Sequence, residues 1–380
     1  MAVLNPAPVA LYIHWPYCSR ICPYCDFNVT RDRGQTDTQQ ALFEAIRADL
    51  RTQASWLGPR RLASVFFGGG TPSLMKPEWV AALIAEAKTL FPVETDIEIT
   101  LEANPTDAEI ARYRAFQAAG INRLSIGIQS LDDAALRFLG RNHSAREALA
   151  GLETALSVFD RVSLDLIYAL PEQSLENWEA ELRRAAHLGV EHISPYQLTL
   201  ESETAFGRAA RRGQLRIPDP EQGEAFYDTT QSVLSELGYE AYEVSNHARG
   251  GAARSQHNIN VWEGVDYVGV GPGSHGRLTF DNSRHATVAE ADLKAYIARV
   301  RKTGHSVTPE PLSAEEASEE ALMLGLRLIE GVRLERIAGL PLNKQDELIA
   351  EGFLELTPQR LRATPKGRVV LDRLLLELLS

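Results

Sequence analysis

The sequence predicts an α/β fold with a parallel sheet, followed by a smaller helix-rich module. Three observations carry this. Strand-like and helix-like segments alternate six times through the first 200 residues, glycines and prolines punctuate the alternation, and after Pro309 and Pro311 the chain turns to helices plus one short hairpin. Val9 to His14 is a short apolar run suited to a buried strand. Thr38 to Trp56 follows with Leu42, Ile46 and Leu50 at helical spacing. Leu62 to Phe67 is a strand stopping at Gly68-Gly69-Gly70, and Pro77 to Leu90 is a helix opened by proline. Asp96 to Leu101 alternates as a strand. Asp107 to Ala119 is a helix ended by Gly120. Arg123 to Ile128 is the fourth strand, followed by helices at Ala134 to Leu139 and Ala145 to Val158. Val162 to Ala169 is a strand, Leu175 to Leu188 a helix closed by Gly189, and His192 to Leu198 the sixth strand. Such a series fits either an open doubly wound sheet or a barrel-like one.

Beyond Leu200 the rhythm changes. Glu203 to Pro218 reads as a charged surface excursion, and Pro220 to Leu237 as a long helix. Tyr239 to Val244 and Asp266 to Val270 read as strands, with turns at Gly250-Gly251 and Gly271-Pro272-Gly273. Pro309 and Pro311 read as a linker. Then come helices, a hairpin over Gly352 to Ala363 turning at Pro358, and a last helix from Pro365 to Leu379. That order suggests a winged-helix-like module. The association of such modules with DNA is an analogy of fold alone.

The net charge of −12 disfavours broad phosphate neutralisation, hence general nucleic-acid binding. No apolar run reaches the ~18 residues of a membrane span, and Met1 to Ala10 does not read as a signal peptide. A cytoplasmic protein is expected.

The chain has three cysteines, Cys18, Cys22 and Cys25, spaced C-x3-C-x2-C directly after the first strand. An odd, clustered set excludes a disulfide framework and points to one local use for thiolates in a reducing compartment. Three thiolates can hold three irons of a [4Fe–4S] cube and leave the fourth open to an outside ligand. The competing readings are a zinc site completed by His14 and purely structural cysteines.

This spacing resembles the signature of radical S-adenosylmethionine (SAM) proteins. The wider string Tyr12-Ile13-His14-Trp15-Pro16-Tyr17-Cys18 is similar to the branch around oxygen-independent coproporphyrinogen III oxidase, and within it to the haem-chaperone subgroup. The resemblance covers most of the chain. It implies a partial (β/α)6 TIM-like barrel of the radical SAM type over residues 1–205, a family-specific extension over 206–308, and the winged-helix-like module over 309–380. It also implies that the open iron takes the amino and carboxylate groups of SAM, whose reductive cleavage yields methionine and a 5′-deoxyadenosyl radical.

Gly68-Gly69-Gly70-Thr71-Pro72 follows the second strand, where glycine lets backbone approach a ligand and N–H groups can meet a carboxylate. The resemblance implies that this element touches the methionyl end of SAM, which makes Gly69, Gly70 and Thr71 candidates; a plain turn at a strand end is the alternative. Glu102 and Gln129 close the third and fourth strands, Arg141 follows the next helix, and Asp165 lies within the fifth strand. Their side chains suit ribose hydroxyls, an ammonium or a carboxylate, and their spacing matches the SAM-contacting positions of the related oxidase. Ion pairs and helix caps are the alternative roles. Tyr12 and Tyr24 are candidates for the adenine side, or else core aromatics. Gly269-Val270-Gly271-Pro272-Gly273 lacks the spacing of a dinucleotide fingerprint.

The oxidase pattern has a fourth cysteine where this chain has Phe27, which puts coproporphyrinogen decarboxylation in doubt. The haem-chaperone subgroup carries H-N-x-x-Y-W; here the string is His257-Asn258-Ile259-Asn260-Val261-Trp262, with Val261 in place of tyrosine. His257 is the candidate haem ligand. Arg208, Arg211, Arg212 and Arg216 could meet haem propionates or form a solvated run. The resemblance thus implies three cofactors: a [4Fe–4S] cluster, SAM and haem. The implied partners are haem-receiving apoproteins, with peripheral association with membrane proteins and no nucleic acid. The alternative is a radical SAM enzyme of porphyrin biosynthesis.

Overall fold

The computed structural model describes residues 6–93 and 96–380. Met1–Asn5, half of the stretch read above for a signal peptide, lie outside them. The core is six parallel strands in sequence order, β1 (Ala7–Trp15), β2 (Arg60–Gly69), β3 (Glu98–Ala103), β4 (Arg123–Gln129), β5 (Arg161–Tyr168) and β6 (His192–Gln197), each paired with the next. The barrel does not close. β1 takes β7 (Asp266–Val270) on its free side, and β6 takes the two-residue strand His247–Ala248. Beyond β7 an antiparallel hairpin of β8 (His275–Phe280) and β9 (Ser283–Val288) extends the sheet.

The strands explain why this sheet curves around a polar interior. Residues alternate between faces with period two. On the convex face, Leu11, Ile13, Val65, Phe67, Leu101, Leu124, Ile126, Leu164 and Ile193 are buried. They share one core with the helices Thr36–Trp56, Pro77–Leu90 and Ala145–Val158. Each such side chain contributes roughly 1.5–3 kcal/mol on burial. The intervening positions, Tyr12 and His14 on β1, Arg123 and Ser125 on β4, Asp165 on β5 and His192 and Ser194 on β6, line the concave side.

Several segments differ from their sequence-based reading. The helix expected over 107–119 is two short pieces, Asp107–Ile110 and Tyr113–Ala118. The expected excursion at 203–218 contains a helix, Ala205–Arg211, capped by Thr204. The strand expected at 239–244 is reduced to Glu240–Ala241. The expected linker is no linker: Glu310–Pro311 pairs with β9 at the edge of the sheet, a position that tolerates a residue without an N–H. The last helix is interrupted at Val370.

The C-terminal region has its own apolar core, including Leu322, Leu326, Leu348, Leu361 and Leu374, around the three-stranded sheet of Val332–Arg333, Arg360–Ala363 and Leu354–Leu356. A short helix, Gln256–Trp262, lies between it and the barrel, beside ion pairs such as Arg277–Glu320 and Arg254–Glu330. The first turn is held by Glu98 of β3, whose carboxylate accepts the N–H groups of Gln256 and His257, both at 3.1 Å. This places a negative charge at the positive helix end. Past the other end, Glu263 accepts from Arg360 at 2.7 Å and pairs with Arg333 at 3.3 Å. Arg327 lies over the Trp262 ring, 4.6 Å from its centroid.

Candidate functional site

The cysteine loop leaves β1 at Trp15 and is pinned by short parallel pairing of Tyr17–Cys18 with Thr30–Arg31. Within it the Cys25 N–H bonds the Cys22 carbonyl at 3.2 Å. All three cysteines line a cavity of about 400 Å³ at the C-terminal rim of the strands. Thr71 and Arg141 point donors at sulfur: Thr71 Oγ1 lies 3.5 Å from Cys18 Sγ, and Arg141 Nη1 lies 3.5 Å from Cys22 Sγ. Burial pushes the Cys18 thiol up and the Cys25 thiol to about 11, so a cationic partner favours the thiolate of these two. The donor set fits an iron–sulfur cluster. His14 is not free to complete a zinc site: its Nδ1 accepts from Tyr12 Oη at 3.0 Å and its Nε2 donates to the Asn28 carbonyl at 2.8 Å. Among the described residues no group of three or more His, Cys, Asp or Glu side chains is placed to hold a single metal ion.

The same cavity gathers Tyr24, Gly69, Gly70, Thr71, Glu102, Gln129, Arg141 and Asp165, from five different β–α segments. Gln129 is held at φ +73°, where the register of β4 against β5 shifts. Its Oε1 is buried without a partner, as is Arg141 Nε. Orphaned buried polar atoms on a cavity wall are what a polar ligand would satisfy, and in this respect the residues fit SAM. Arg141 is further fixed by the carbonyl of Gly127 at 2.6 Å and by Asn104, which also donates to Thr71 at 3.1 Å.

Glu102 and Asp165 line the same cavity. Desolvation, then the neighbouring Asp165 charge, raises Glu102 to about 8; desolvation, opposed by hydrogen bonds from Ser194 and Ser125 and by Arg123, leaves Asp165 at about 6. At neutral pH the pair holds one proton, and so offers a donor and an acceptor to ribose hydroxyls.

The glycines have a reason the sequence did not show. Gly69 has φ +106°, and a Cβ there would stand 2.5 Å from the His14 ring; one on Gly70 would meet the Pro16 backbone at 2.7 Å. The N–H groups of Gly69, Gly70 and Thr71 are engaged by Glu102 (3.3 Å), the Trp15 carbonyl (2.8 Å) and the Tyr17 carbonyl (2.8 Å). They are therefore not open donors for a carboxylate, contrary to the expectation from sequence. The turn is small because it docks on the root of the cysteine loop.

Tyr12 and His257 fall elsewhere, in a second cavity of about 440 Å³ deeper in the barrel, which shares Gly69, Glu102, Ser125 and Asp165 with the first. His257 is 8% exposed and stacks on Phe66 with centroids 4.5 Å apart. Burial lowers it to about 4, so the ring is neutral near pH 7, and its Nδ1 has no partner. It can meet a haem iron only from inside the barrel. Val261 lines the same cavity. Arg208, Arg211, Arg212 and Arg216 line neither cavity and are exposed, which answers the propionate reading with a solvated run. The turn at Gly271 and Gly273 leads into the antiparallel β8, with no helix after it, so no dinucleotide fold is present there.

Reasoning from sequence passed over Arg123, Ser125, His192 and Ser194, all on the lumen wall. The signal was present: β4 reads Arg-Leu-Ser-Ile-Gly-Ile-Gln and β6 opens His-Ile-Ser, polar at every second position of a buried strand.

Comparison with known proteins places this geometry. Residues 12–185 match the radical SAM superfamily and residues 312–370 the HemN C-terminal domain. The chain is 41% identical to radical S-adenosyl methionine domain-containing protein 1, mitochondrial, of Bos taurus, over 99% of this chain and 89% of that protein. It is 34% identical to heme chaperone HemW of Escherichia coli strain K12, over 97% of each. The solved coproporphyrinogen III oxidase (HemN) of Escherichia coli, a radical SAM enzyme, superposes with a TM-score of 0.80 at 22% identity, covering 99% of this chain and 91% of that one, a likeness of fold. This chain belongs to the radical SAM superfamily, in the family of its relatives named heme chaperone HemW and radical S-adenosyl methionine domain-containing protein 1.

Proposed function

We propose that the chain is a haem chaperone that binds a [4Fe–4S] cluster, SAM and haem and passes haem to apoproteins. The observation that carries this is a cluster-and-nucleotide cavity opening inward onto a second cavity walled by the neutral His257 ring, in a chain whose relatives include proteins named heme chaperone. Cys18, Cys22 and Cys25 would hold the cluster. Arg141 would meet the carboxylate of SAM, Gln129 Oε1 its amino group, and Glu102 and Asp165 its ribose, while Tyr24 would flank its adenine side; Tyr12, expected there from sequence, lines the inner cavity instead. Gly69, Gly70 and Thr71 would wall the methionyl end. When bound, the cluster supplies an electron to the sulfonium centre of SAM. The protein's own part is to fix the geometry and to exclude water from that contact. His257 would supply the haem-iron ligand.

Phe27 is 59% exposed at the mouth of the nucleotide cavity, where the oxidase pattern has a cysteine. This favours a carrier over a coproporphyrinogen oxidase of porphyrin biosynthesis. A cytoplasmic site and peripheral contact with membrane-bound recipients follow from the same reading. Among the described residues no helix is long and apolar enough to cross a membrane; several relatives bear the word mitochondrial in their names.

Anaerobic haem titration, followed in the Soret band, tests the proposal. Wild type should bind haem, and His257→Ala should lose or alter the bound spectrum. Incubation of coproporphyrinogen III with SAM and a reductant should yield no protoporphyrinogen IX. Sustained turnover would favour the enzyme over the carrier.

A further inference from the structure

Arg123 opens β4 and projects into the deeper cavity. It is 2% exposed, yet among the described residues its guanidinium makes no hydrogen bond, and its Nε is a buried donor without a partner. Among the described residues the one carboxylate within 4 Å is Glu98, at 3.9 Å from Nε. Glu98 is already committed. It accepts from Arg161 at 3.0 Å, from the N–H groups of Gln256 and His257, and from Ser255 at 3.4 Å. Asp165 lines the same cavity, but its hydrogen bonds come from Ser125, not from Arg123. A buried guanidinium with five donors and no acceptor is costly unless something arrives to use it.

The wall beside it is flat. The Phe66 and His257 rings stack at 24°, and Tyr12 lies 6.3 Å from Phe66 at 21°. The cavity is of the size that holds a small organic ligand.

We propose that this inner cavity is a second ligand site, distinct from the SAM cavity, which takes a flat conjugated molecule through a carboxylate paired with the Arg123 guanidinium. Under the haem reading, on which the ligand's identity rests, that carboxylate is a haem propionate. Arg123 then fixes the edge of the ring while His257 faces its interior. Glu102, Ser125 and Asp165 line both cavities, so a ligand anchored there lies against the adenosyl group.

The test compares haem with haem dimethyl ester, which keeps the ring and iron but lacks propionate charge, on full-length wild type, Arg123→Gln and Arg123→Lys. Arg123→Gln should weaken haem binding roughly ten- to hundredfold, the worth of a charge-assisted contact. It should leave the ester unchanged, and Arg123→Lys should recover part of the loss. Because acid and ester are measured on the same variant, a general loss of fold would weaken both alike. Equal haem affinity in wild type and Arg123→Gln overturns the site while leaving the haem reading intact, and so does an equal loss for both ligands that Arg123→Lys does not restore. If wild type binds neither tetrapyrrole, the haem reading falls. Crystals soaked with benzoate then decide the site: density at Arg123 upholds it, and an empty cavity ends it.

Discussion

Replacing Gly69 by alanine would strike the joint between the nucleotide cavity and the cysteine loop. The new Cβ would sit 2.5 Å from Cε1 and Nδ1 of His14, about 1 Å inside ordinary contact. His14 cannot swing aside freely, because both ring nitrogens are bonded, to Tyr12 and to Asn28. Moving it forfeits two hydrogen bonds at about 0.5–1.5 kcal/mol each. The backbone at φ +106° adds about 1–3 kcal/mol for a residue with a side chain. The sum is about 2–6 kcal/mol, a large part of the ~5–15 kcal/mol that stabilises a typical domain. Anaerobic urea denaturation of the apoprotein measures it. The decisive measurement is the cycle with His14→Ala. In that background Gly69→Ala should cost only the backbone share, about 1–3 kcal/mol, because the ring it strikes is gone. A Gly69→Ala protein within about 0.5 kcal/mol of wild type, or strict additivity in the cycle, is incompatible with a steric joint at His14.

Further outcomes are expected. Cys22→Ala should abolish iron and sulfide uptake while shifting the apoprotein's stability by no more than about 1 kcal/mol, since the site lies in a loop; unfolding, seen by circular dichroism, would make the cluster structural. Glu102 holds its proton up to about pH 8 in the folded state, whereas the unfolded carboxylate releases it near pH 4.5. Apoprotein stability should therefore fall as pH rises through that window, and Glu102→Gln should flatten the fall. His257 has the opposite sign: neutral when folded down to about pH 4, it costs stability as pH drops below ~6.5, where the unfolded ring takes up a proton. Haem binding through it should persist down to about pH 5, and a midpoint near 6.5 in the titration would argue against His257 as the ligand.

The six parallel strands were legible because buried strands and amphipathic helices leave opposite periodicities in the chain. The hairpin of β8 and β9 was not read, although its tip carries a usable signal: Asp281 and Asn282 both have positive φ, 51° and 59°, the turn chemistry that tight hairpins demand. The rim residues Glu102, Gln129 and Arg141 could be picked out because they close strands or follow them. Their partners could not. Arg141 meets Cys22 across 119 positions of sequence, and Asn104 and Gly127 fix it only once the barrel is curved. Arg123 went unnoticed because a lone arginine opening a strand looks like a surface charge until the sheet's concave side is known.

The helix Gln256–Trp262 is gripped at one end by Glu98 of the barrel, while Glu263, just past the other, is held by Arg333 and Arg360 of the C-terminal region. The wall that carries His257 is thus set by two bodies that each have a core of their own. A chain cut before residue 312, where the match to the HemN C-terminal domain begins, would keep the parallel strands, the cysteines and the helix Gln256–Trp262 but lose one jaw of the vice around its inner chamber. The C-terminal region is therefore no exchangeable appendage: grafted onto another barrel, or cut from this one, it would carry part of the chamber's shape away with it.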